Sequence, residues 1–246
     1  MPMRCGILII GSLLWDPNKI RSDWRDSRLR MDEKIPVSAP ICYGRPSSTR
    51  GKTYTMIFRE DAIGKAVLVP CKKDIDGVPG LLDEARELWA TEGLVKKKPI
   101  GSHTKDTDPQ KAWGCVGVLF RKGDDLNDLK EGWTKKFHES RTVNVSLVSK
   151  DGILSIAWPK KVDGSELTEA DVILATANKP EGQPTAEQIA DAWLGAGHEE
   201  YFFNNVSHGI RTAEDGGIWK RLQRPWLRRY PEAVKTLQQE AGKGTA

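Results

Sequence analysis

The chain contains 246 residues, of which 38% are hydrophobic and 29% are charged. This length can bury a sizeable core as one large domain or two small ones, and the composition is that of a globular protein, which excludes a disordered chain. The longest apolar run, residues 6–15, is interrupted by Gly11 and Ser12. It is shorter than the about 20 residues that a membrane-spanning helix needs, so we expect no membrane partner.

Neither the cysteines nor the histidines form a metal-binding pattern. No two of the four cysteines make a C-x-x-C pair, and the four histidines supply no ligand cluster. We therefore expect reduced thiols and no structural metal. The N-terminal residues lack the charged region and the apolar stretch that are typical of an export signal, which predicts a cytoplasmic protein.

The positive charge is concentrated at the C-terminal end. The whole chain has a net charge of +4, and residues 218–246 contain seven Lys or Arg and two Glu, a net charge of +5. Trp219, Trp226 and Tyr230 alternate with these cations, a composition that can contact phosphates and stack on bases. The alternative is a helix that packs its aromatic side chains inward and exposes its cations. We favour this alternative and expect no nucleic-acid partner.

The first 160 residues are rich in segments typical of strands. Apolar and β-branched runs predict strands over 5–10, 35–43, 53–58, 65–69, 112–120, 143–148 and 153–158. Two pairs of these segments are predicted as hairpins: 53–58 with 65–69, and 143–148 with 153–158 around an Asp-Gly turn. Helical spacing predicts helices over 81–90 and 124–136. Residues 94–111 have no periodicity, and we interpret them as a loop beside the site or an insertion.

Helical patterns dominate after Pro159. Apolar stripes that follow Thr or Pro residues predict helices over 168–177 and 184–193, and two further helices over 199–206 and 232–239. The chain thus divides into a strand-rich body, residues 1–160, and a helical C-terminal part, residues 161–246. We expect the two parts to pack together as one domain of the α+β class.

Familiar catalytic and nucleotide-binding motifs are absent from the sequence. Gly11-Ser12 lacks the preceding Lys of a phosphate loop, and one glycine stands where a dinucleotide site needs three. There is no G-x-S-x-G nucleophile elbow and no H-E-x-x-H zinc motif. These observations argue against a nucleotide-binding protein, an α/β-hydrolase and a zinc protease.

The turn after the first strand is the first candidate site. Gly11 permits a tight turn and a close approach of a ligand to the backbone. The successive N–H groups of Gly11, Ser12 and Leu13 can then point into one cavity and bind an anion or an oxyanion. An ordinary strand-terminating turn is the alternative interpretation of the same residues.

Two further segments contain candidate side chains. Glu131 lies in the predicted helix 124–136 near Trp133 and Phe137, and shielding by these aromatic groups would raise its pKa towards neutrality, as a general base needs. In the basic loop after the second predicted strand, Arg45 or Arg50 is suited to binding a carboxylate. The alternatives are a solvated Glu and a solvated basic loop.

Together these segments resemble the gamma-glutamylcyclotransferase-like superfamily, and its ChaC-type branch most closely. That family opens with a strand and a Tyr-Gly-Ser turn, and residues 9–17, Ile-Ile-Gly-Ser-Leu-Leu-Trp-Asp-Pro, are similar, with Ile10 at the position of the Tyr. The further similar segments, in the order of the family, are 47–51, 117–120, 126–131, Phe137 with 143–145, and 200–209. The resemblance spans residues 4–210, and residues 94–111 and those after 210 are additions.

The resemblance implies a mixed, partly closed β-barrel with flanking helices and a helical C-terminal part. It implies an enzyme that needs no cofactor and no metal and that cleaves a γ-glutamyl amide. The substrate's α-amine attacks its own γ-carbonyl, and 5-oxoproline forms as an amine or a peptide is released. The implied site consists of the acid–base residue Glu131 and the substrate-binding residues Ile10, Gly11, Ser12, Leu13, Arg45, Arg50 and Phe137.

Two other functions remain open at this point. The first is a non-catalytic module that binds a small γ-glutamyl-like molecule on the same fold, which Ile10 favours because the family has Tyr there. The second is a nucleic-acid or protein adaptor that acts through the basic C-terminal residues. The sequence indicates neither the leaving amine of the reaction nor the oligomeric state.

Overall fold

The computed structural model describes residues 2–47, 50–92, 114–138 and 147–222. The strands are β1 (Cys5–Ile9), β2 (Ile35–Ala39), β3 (Ile41–Pro46), β4 (Tyr54–Phe58), β5 (Gly64–Pro70), β6 (Gly114–Phe120), β7 (Val172–Asn178) and β8 (Arg211–Thr212). The helices are α1 (Lys19–Arg28), α2 (Gly77–Ala90), α3 (Asn127–His138), α4 (Ala186–Ala196), α5 (Glu200–Ser207) and α6 (Asp215–Leu222). Short 3-10 turns cover Ser12–Leu14 and Asp124–Leu126.

A mixed sheet forms the centre of the protein. Its strand order is β2-β5-β1-β7-β6, and β8 pairs with β5. Strands β1 and β7 are parallel, whereas the other pairs in this sheet are antiparallel. Most residues of β1, β5 and β7 are buried, as is typical of strands that are covered on both faces. Because β1 and β7 run in the same direction, both end at the same edge of the sheet.

A separate hairpin, β3 with β4, lies beside that edge. Its ladder contains an irregularity between Tyr43 and Arg45, and the side-chain amide of Asn178 at the end of β7 donates a hydrogen bond of 3.0 Å to the carbonyl oxygen of Met56 in β4. In the described ranges no backbone ladder joins this hairpin to the main sheet. The protein therefore has an α+β fold with a mixed sheet, and the partly closed barrel stays a prediction.

The helices cover the sheet with apolar faces. Helix α2 packs against β6 and β7 and contacts α3, and its buried side chains recur at helical spacing: Leu81, Leu82, Ala85, Leu88 and Trp89. Full burial of each leucine side chain contributes about 1.5–3 kcal/mol. Helix α4 begins at a capping box between Thr185 and Gln188 and ends at Gly197, whose φ of +68° suits glycine.

The structure corrects the prediction of a helix over 168–177. Residues Val172–Asn178 form β7, which lies between β1 and β6 in the middle of the sheet. The reason is that a short continuous apolar run fits a doubly buried strand as well as a buried helix. The part after residue 160 is therefore not purely helical, because it supplies a central strand of the body's own sheet.

The predicted hairpin of 53–58 with 65–69 is also wrong. Strand β4 pairs with β3, and β5 pairs with β1 and β2. The consecutive residues 66–69 are all buried, which suits a position between two other strands rather than in a two-stranded hairpin. The predicted strand 35–43 is divided at Pro40 into β2 and β3, as expected for a residue that lacks an N–H donor.

Several other predicted elements are confirmed. Helices are present at 81–90, 124–136, 184–193 and 199–206 with small shifts of their ends, and strands are present at 5–10 and 112–120. The turn before Gly152 is also formed, because Gly152 N donates to the Ser149 carbonyl oxygen at 2.9 Å. The predicted strand 153–158 is wrong, because only Ile153 and Leu154 make isolated bridges there. The loop 94–111, most of the strand 143–148 and the helix 232–239 lie outside the described residues.

Three further expectations concern surface and composition. In the described ranges no helix combines the length and the apolar character needed to cross a membrane. All four cysteines are buried free thiols. Of the basic C-terminal region, the described part ends at residue 222, and there the ring of Trp219 packs edge-on against Phe203 at 6.2 Å while Arg221 pairs with Asp191 at 2.8 Å.

Candidate functional site

A cavity of about 260 Å³ opens at the edge where β1 and β7 end. Its walls come from the end of β1 and the 3-10 turn that follows, from α1, from the β3–β4 hairpin, from the end of β7 and from α5. Six of the predicted site residues line it: Ile10, Gly11, Ser12, Leu13, Arg45 and Arg50. The structure thus brings together the predicted backbone turn and the predicted basic loop.

The 3-10 turn Ser12–Leu14 forms one wall of the cavity and is fixed by contacts with α1 and with the core. Leu14 N donates to the Gly11 carbonyl oxygen at 3.1 Å, and the guanidinium of Arg25, on α1, donates to the carbonyl oxygen of Leu13 at 2.8 Å. Leu13 and Leu14 are buried in the core. This turn is therefore fixed by packing on one side, and its other side borders the cavity.

Arg21 on α1 connects this turn with a carboxylate. Its Nη1 donates to Ser12 Oγ at 3.1 Å, and its Nη2 donates to Glu92 Oε2 at 3.0 Å. It also pairs with Asp16. The side chains of Arg21 and Glu92 are only 17% and 16% exposed, so this ion pair is shielded from most of the solvent.

Glu92 follows the end of α2 and lines the cavity. Burial raises the pKa of its carboxyl group above the ordinary value, and the positive charges of Arg21 and Arg50 offset part of that effect, whereas Asp16 adds to it. A carboxylate that accepts a proton more readily than usual and lies at a cavity wall is suited to general acid–base chemistry. Glu92 therefore has the properties that the sequence analysis assigned to Glu131.

Arg50 lines the cavity beside Tyr201. Its guanidinium carbon is 4.6 Å from the centre of the Tyr201 ring, a distance typical of a cation–π contact. Its Nε atom is buried and has no hydrogen-bond partner in the described ranges. An unsatisfied buried donor is costly unless a ligand accepts from it, so Arg50 is suited to binding an anionic group in the cavity.

Tyr201 itself comes from α5 and is buried among aromatic rings. Its ring contacts Trp15 at 5.6 Å and Trp193 at 6.1 Å between centroids, and burial raises the pKa of its hydroxyl group. Trp15 Nε1 donates to Asn205 Oδ1, also on α5, at 2.8 Å. These contacts fix α5 against the turn after β1.

Arg45 lines the cavity from the hairpin and is paired. Its Nε atom lies 3.2 Å from Glu181 Oε1, and the Glu181 N–H donates to the Gly44 carbonyl oxygen at 2.9 Å. Of the two arginines that the sequence analysis proposed for carboxylate binding, Arg50 is therefore the one with an unsatisfied buried donor.

The structure contradicts the shielded general base at Glu131. Its side chain is exposed and is not among the described residues that line the cavity. Leu129, Trp133 and Phe137 are buried and repeat every four residues, so they form the inner face of α3. Glu131, two residues or about 200° from Leu129 around the helix, points away from that face.

Glu131 is also far from the cavity, because it lies near the start of α2 and Glu92 follows the end of that helix. A Cβ added at the neighbouring Gly132 would contact Val78 Cγ2, and Val78 lies in the first turn of α2, whereas Glu92 follows the other end of that helix. At 1.5 Å per residue the 14 residues between them correspond to about 20 Å. Phe137 stacks on Trp133 at 6.1 Å in the core and is not a cavity residue either.

The sequence analysis missed the residues that supply the further charged and aromatic contacts of the site, Arg21, Glu92 and Tyr201. Glu92 carries a recognisable signal, because it follows an amphipathic helix of the body directly before Gly93, as Glu131 precedes Gly132. Tyr201 lies in the segment 200–209 that carries part of the resemblance. No sequence signal marks Arg21, which is one of several charged residues of α1.

The site offers no evident metal position. In the part of the chain that the structure describes, no three His, Cys, Asp or Glu side chains are grouped so that they could hold a metal ion.

Comparison of the chain with protein-family models, with curated proteins and with solved structures finds no match.

Proposed function

We propose that this protein cleaves a γ-glutamyl amide by intramolecular cyclisation, with Glu92 as the general acid and base. The observation that carries the proposal is the convergence on one cavity of a desolvated carboxylate, a backbone turn and an arginine whose buried Nε has no partner in the described ranges. The ordered segments that resemble the gamma-glutamylcyclotransferase-like superfamily support the same reaction. The role first assigned to Glu131 is withdrawn because that side chain is exposed.

The proposed reaction needs no protein nucleophile. Glu92 accepts a proton from the substrate's α-ammonium group, and the resulting amine attacks the γ-carbonyl carbon, so that a C–N bond and a five-membered ring form. The bond from that carbon to the leaving nitrogen then breaks. The two protons that the α-ammonium loses end on the leaving nitrogen, the first through Glu92, so 5-oxoproline and an ammonium product result. Such proton transfer contributes about 10²–10⁴-fold to the rate.

The other parts of the cavity supply binding and charge stabilisation in this proposal. The N–H groups of Gly11, Ser12 and Leu13 stabilise the negative charge that develops on the γ-carbonyl oxygen, and the loss of one such donor costs about 3–4 kcal/mol. Arg50 binds the α-carboxylate, which orients the flexible substrate for ring closure. The apolar side chain of Ile10 borders the same space.

A non-catalytic binding module is the second candidate function. The observation that favours it is Ile10, which lines the cavity without a hydroxyl group, whereas the resembling family has Tyr there. In that case the cavity binds a γ-glutamyl compound through Arg50 and leaves it intact.

One assay separates the two functions. The purified full chain is incubated with a panel of γ-glutamyl amino acids, peptides and amines, and 5-oxoproline is measured by mass spectrometry while binding is measured by calorimetry. The proposal expects 5-oxoproline in amounts that increase with time and protein. Heat of binding without any product would instead support the binding module, and neither binding nor product across the panel would reject both.

A further inference from the structure

Arg21 occupies an unusual position for an arginine. It is the third residue of α1, and no acidic residue is present in the first turn of that helix. A cation in the first turn of a helix is disfavoured by the helix dipole. The side chain of Asn18 caps this turn by accepting from Ile20 N at 3.0 Å, so the helix start itself does not depend on Arg21.

The guanidinium of Arg21 contacts three separate segments. Nε donates to the Thr91 carbonyl oxygen at 3.3 Å and Nη2 to Glu92 at 3.0 Å, both after α2. Nη1 donates to Ser12 Oγ in the 3-10 turn and to Asp16 beyond it. The planar fork of an arginine carries five N–H donors on three nitrogens, so it reaches acceptors further apart than lysine can reach with three donors on a single nitrogen.

We propose that Arg21 is a positioning residue that holds the Glu92 carboxylate at a fixed distance from the backbone turn at Ser12. This inference rests on the proposed function, since it assigns Glu92 and that turn to one reaction. Glu92 and the turn at Ser12 come from segments about 80 residues apart in the sequence. Both accept hydrogen bonds from the guanidinium of Arg21. A displacement of about 1 Å between such groups can cost about 100-fold in rate.

Charged groups around Glu92 come from each neighbouring segment. Arg21 faces it from α1, Arg50 from the basic loop, and Asp16 from the chain after the 3-10 turn. Arg21 lowers the pKa of Glu92 through its charge and its hydrogen bond. Loss of that charge therefore moves the midpoint of the Glu92 titration to higher pH. Arg21→Lys keeps the positive charge but removes the planar set of donors, so it distinguishes an effect of position from an effect of charge.

Arg25 provides a matched control on the same helix. Its guanidinium donates to the carbonyl oxygens of Leu13 and Asp16, each at 2.8 Å. It thus supports the same 3-10 turn from one helical turn further along, and none of its hydrogen bonds reaches Glu92. Changes at either arginine are expected to loosen the 3-10 turn, whereas only a change at Arg21 is expected to affect Glu92.

The experiment compares Arg21→Lys, Arg21→Gln and Arg25→Lys with the wild type. The rate of 5-oxoproline formation is measured between pH 5 and 9, and the Glu92 carboxyl group is titrated by carbon NMR, with Glu92→Gln assigning its signal. We expect Arg21→Lys to lower kcat by about 100-fold with little change in KM, even on the high-pH plateau. We expect Arg21→Gln to move the midpoint of the Glu92 titration to higher pH, and Arg25→Lys to leave that midpoint unchanged.

The result that overturns the inference is an equal loss of kcat in Arg21→Lys and Arg25→Lys together with an unchanged Glu92 midpoint in Arg21→Gln. A wild type that forms no 5-oxoproline rejects the proposed function instead, and the NMR titration, which needs no turnover, then tests the contact between Arg21 and Glu92 alone. Circular dichroism of each variant shows whether it folds. If one Arg21 variant does not fold, the other is compared with the wild type.

Discussion

The hydroxyl group of Tyr201 lies directly against Gly11. A Cβ atom added at Gly11 would stand 2.8 Å from Tyr201 Oη, which is closer than real Cβ contacts allow. The φ of Gly11 is −173°, an extended conformation that any residue adopts, so the requirement for glycine here is steric. A helix 190 residues away in the sequence therefore determines the residue that the turn after β1 can accept.

This contact predicts the effect of Gly11→Ala. We expect the added methyl group to displace Tyr201 or the turn, to cost about 1–3 kcal/mol of stability and to lower kcat/KM. The double variant Gly11→Ala with Tyr201→Phe removes the clashing oxygen and recovers most of the lost stability, as thermal unfolding measures. Gly195→Ala in α4 is the control, because a Cβ there meets nothing within 4 Å and alanine favours a helix by up to about 1 kcal/mol. Equal destabilisation of the single and double variants would contradict the contact.

Substitution of Arg50 tests the anion-binding wall. Hydrogen bonds to charged groups contribute about 1.5–3 kcal/mol, so Arg50→Gln is expected to raise KM for γ-glutamyl substrates by about 10–100-fold with a smaller effect on kcat. Arg59→Gln is the control, since that arginine pairs with Asp61 at 2.7 Å outside the cavity wall. Steady-state kinetics with both variants measures the difference, and an unchanged KM in Arg50→Gln would remove Arg50 from substrate binding.

Asp171 connects the starts of the two parallel strands and makes stability depend on pH. Its carboxylate accepts from Arg4 Nη2 at 2.9 Å and from Arg121 Nε at 3.1 Å. Hydrogen bonding to Arg4, above all, lowers the pKa of Asp171 to about 2. Because the unfolded value is about 3.9, the folded state gains about 2 kcal/mol above pH 4, and this gain is lost as the pH falls from about 4 towards 2.

The variant Asp171→Asn tests this linkage. We expect it to be about 2 kcal/mol less stable than the wild type at pH 7, and the difference to shrink to about half near pH 3, where part of the wild-type carboxylate is protonated. Urea unfolding at both pH values measures the difference. A constant difference at pH 7 and pH 3 would show that Asp171 stabilises the strands by packing rather than by its charge.

The fold could be predicted where the pattern had one interpretation. The amphipathic pattern of α2 predicts a helix, and the apolar run of β1 predicts a strand because it is short and stops at Gly11-Ser12; the structure contains both. Strand β7 could not be recognised because its run of apolar residues has no period that separates a buried strand from a helix. The pairing of the strands could not be predicted either. Whether β5 pairs with β4 or with β1 and β2 depends on packing between segments that are distant in the sequence.

The site was predictable for the main chain and not for the acid. Glu92 follows α2 and Glu131 lies in α3, each stands directly before a glycine, and only the packing of the two helices determines which of them faces the cavity. The turn at Gly11 and Ser12 could be identified because its conformation depends on the local backbone. Whether an acidic side chain faces a cavity depends on how helices and strands pack together, and the local sequence does not predict that packing.

The most direct test of the account compares Glu92→Gln with Glu131→Gln. Each change removes one carboxylate and keeps the shape of the side chain, so both are measured for 5-oxoproline formation from the same γ-glutamyl substrate at pH 7 and 8. We predict that Glu92→Gln reduces kcat by about 10²–10⁴-fold and that Glu131→Gln retains the wild-type rate. Wild-type turnover by Glu92→Gln would contradict the assignment of the general base to the cavity at the end of β1.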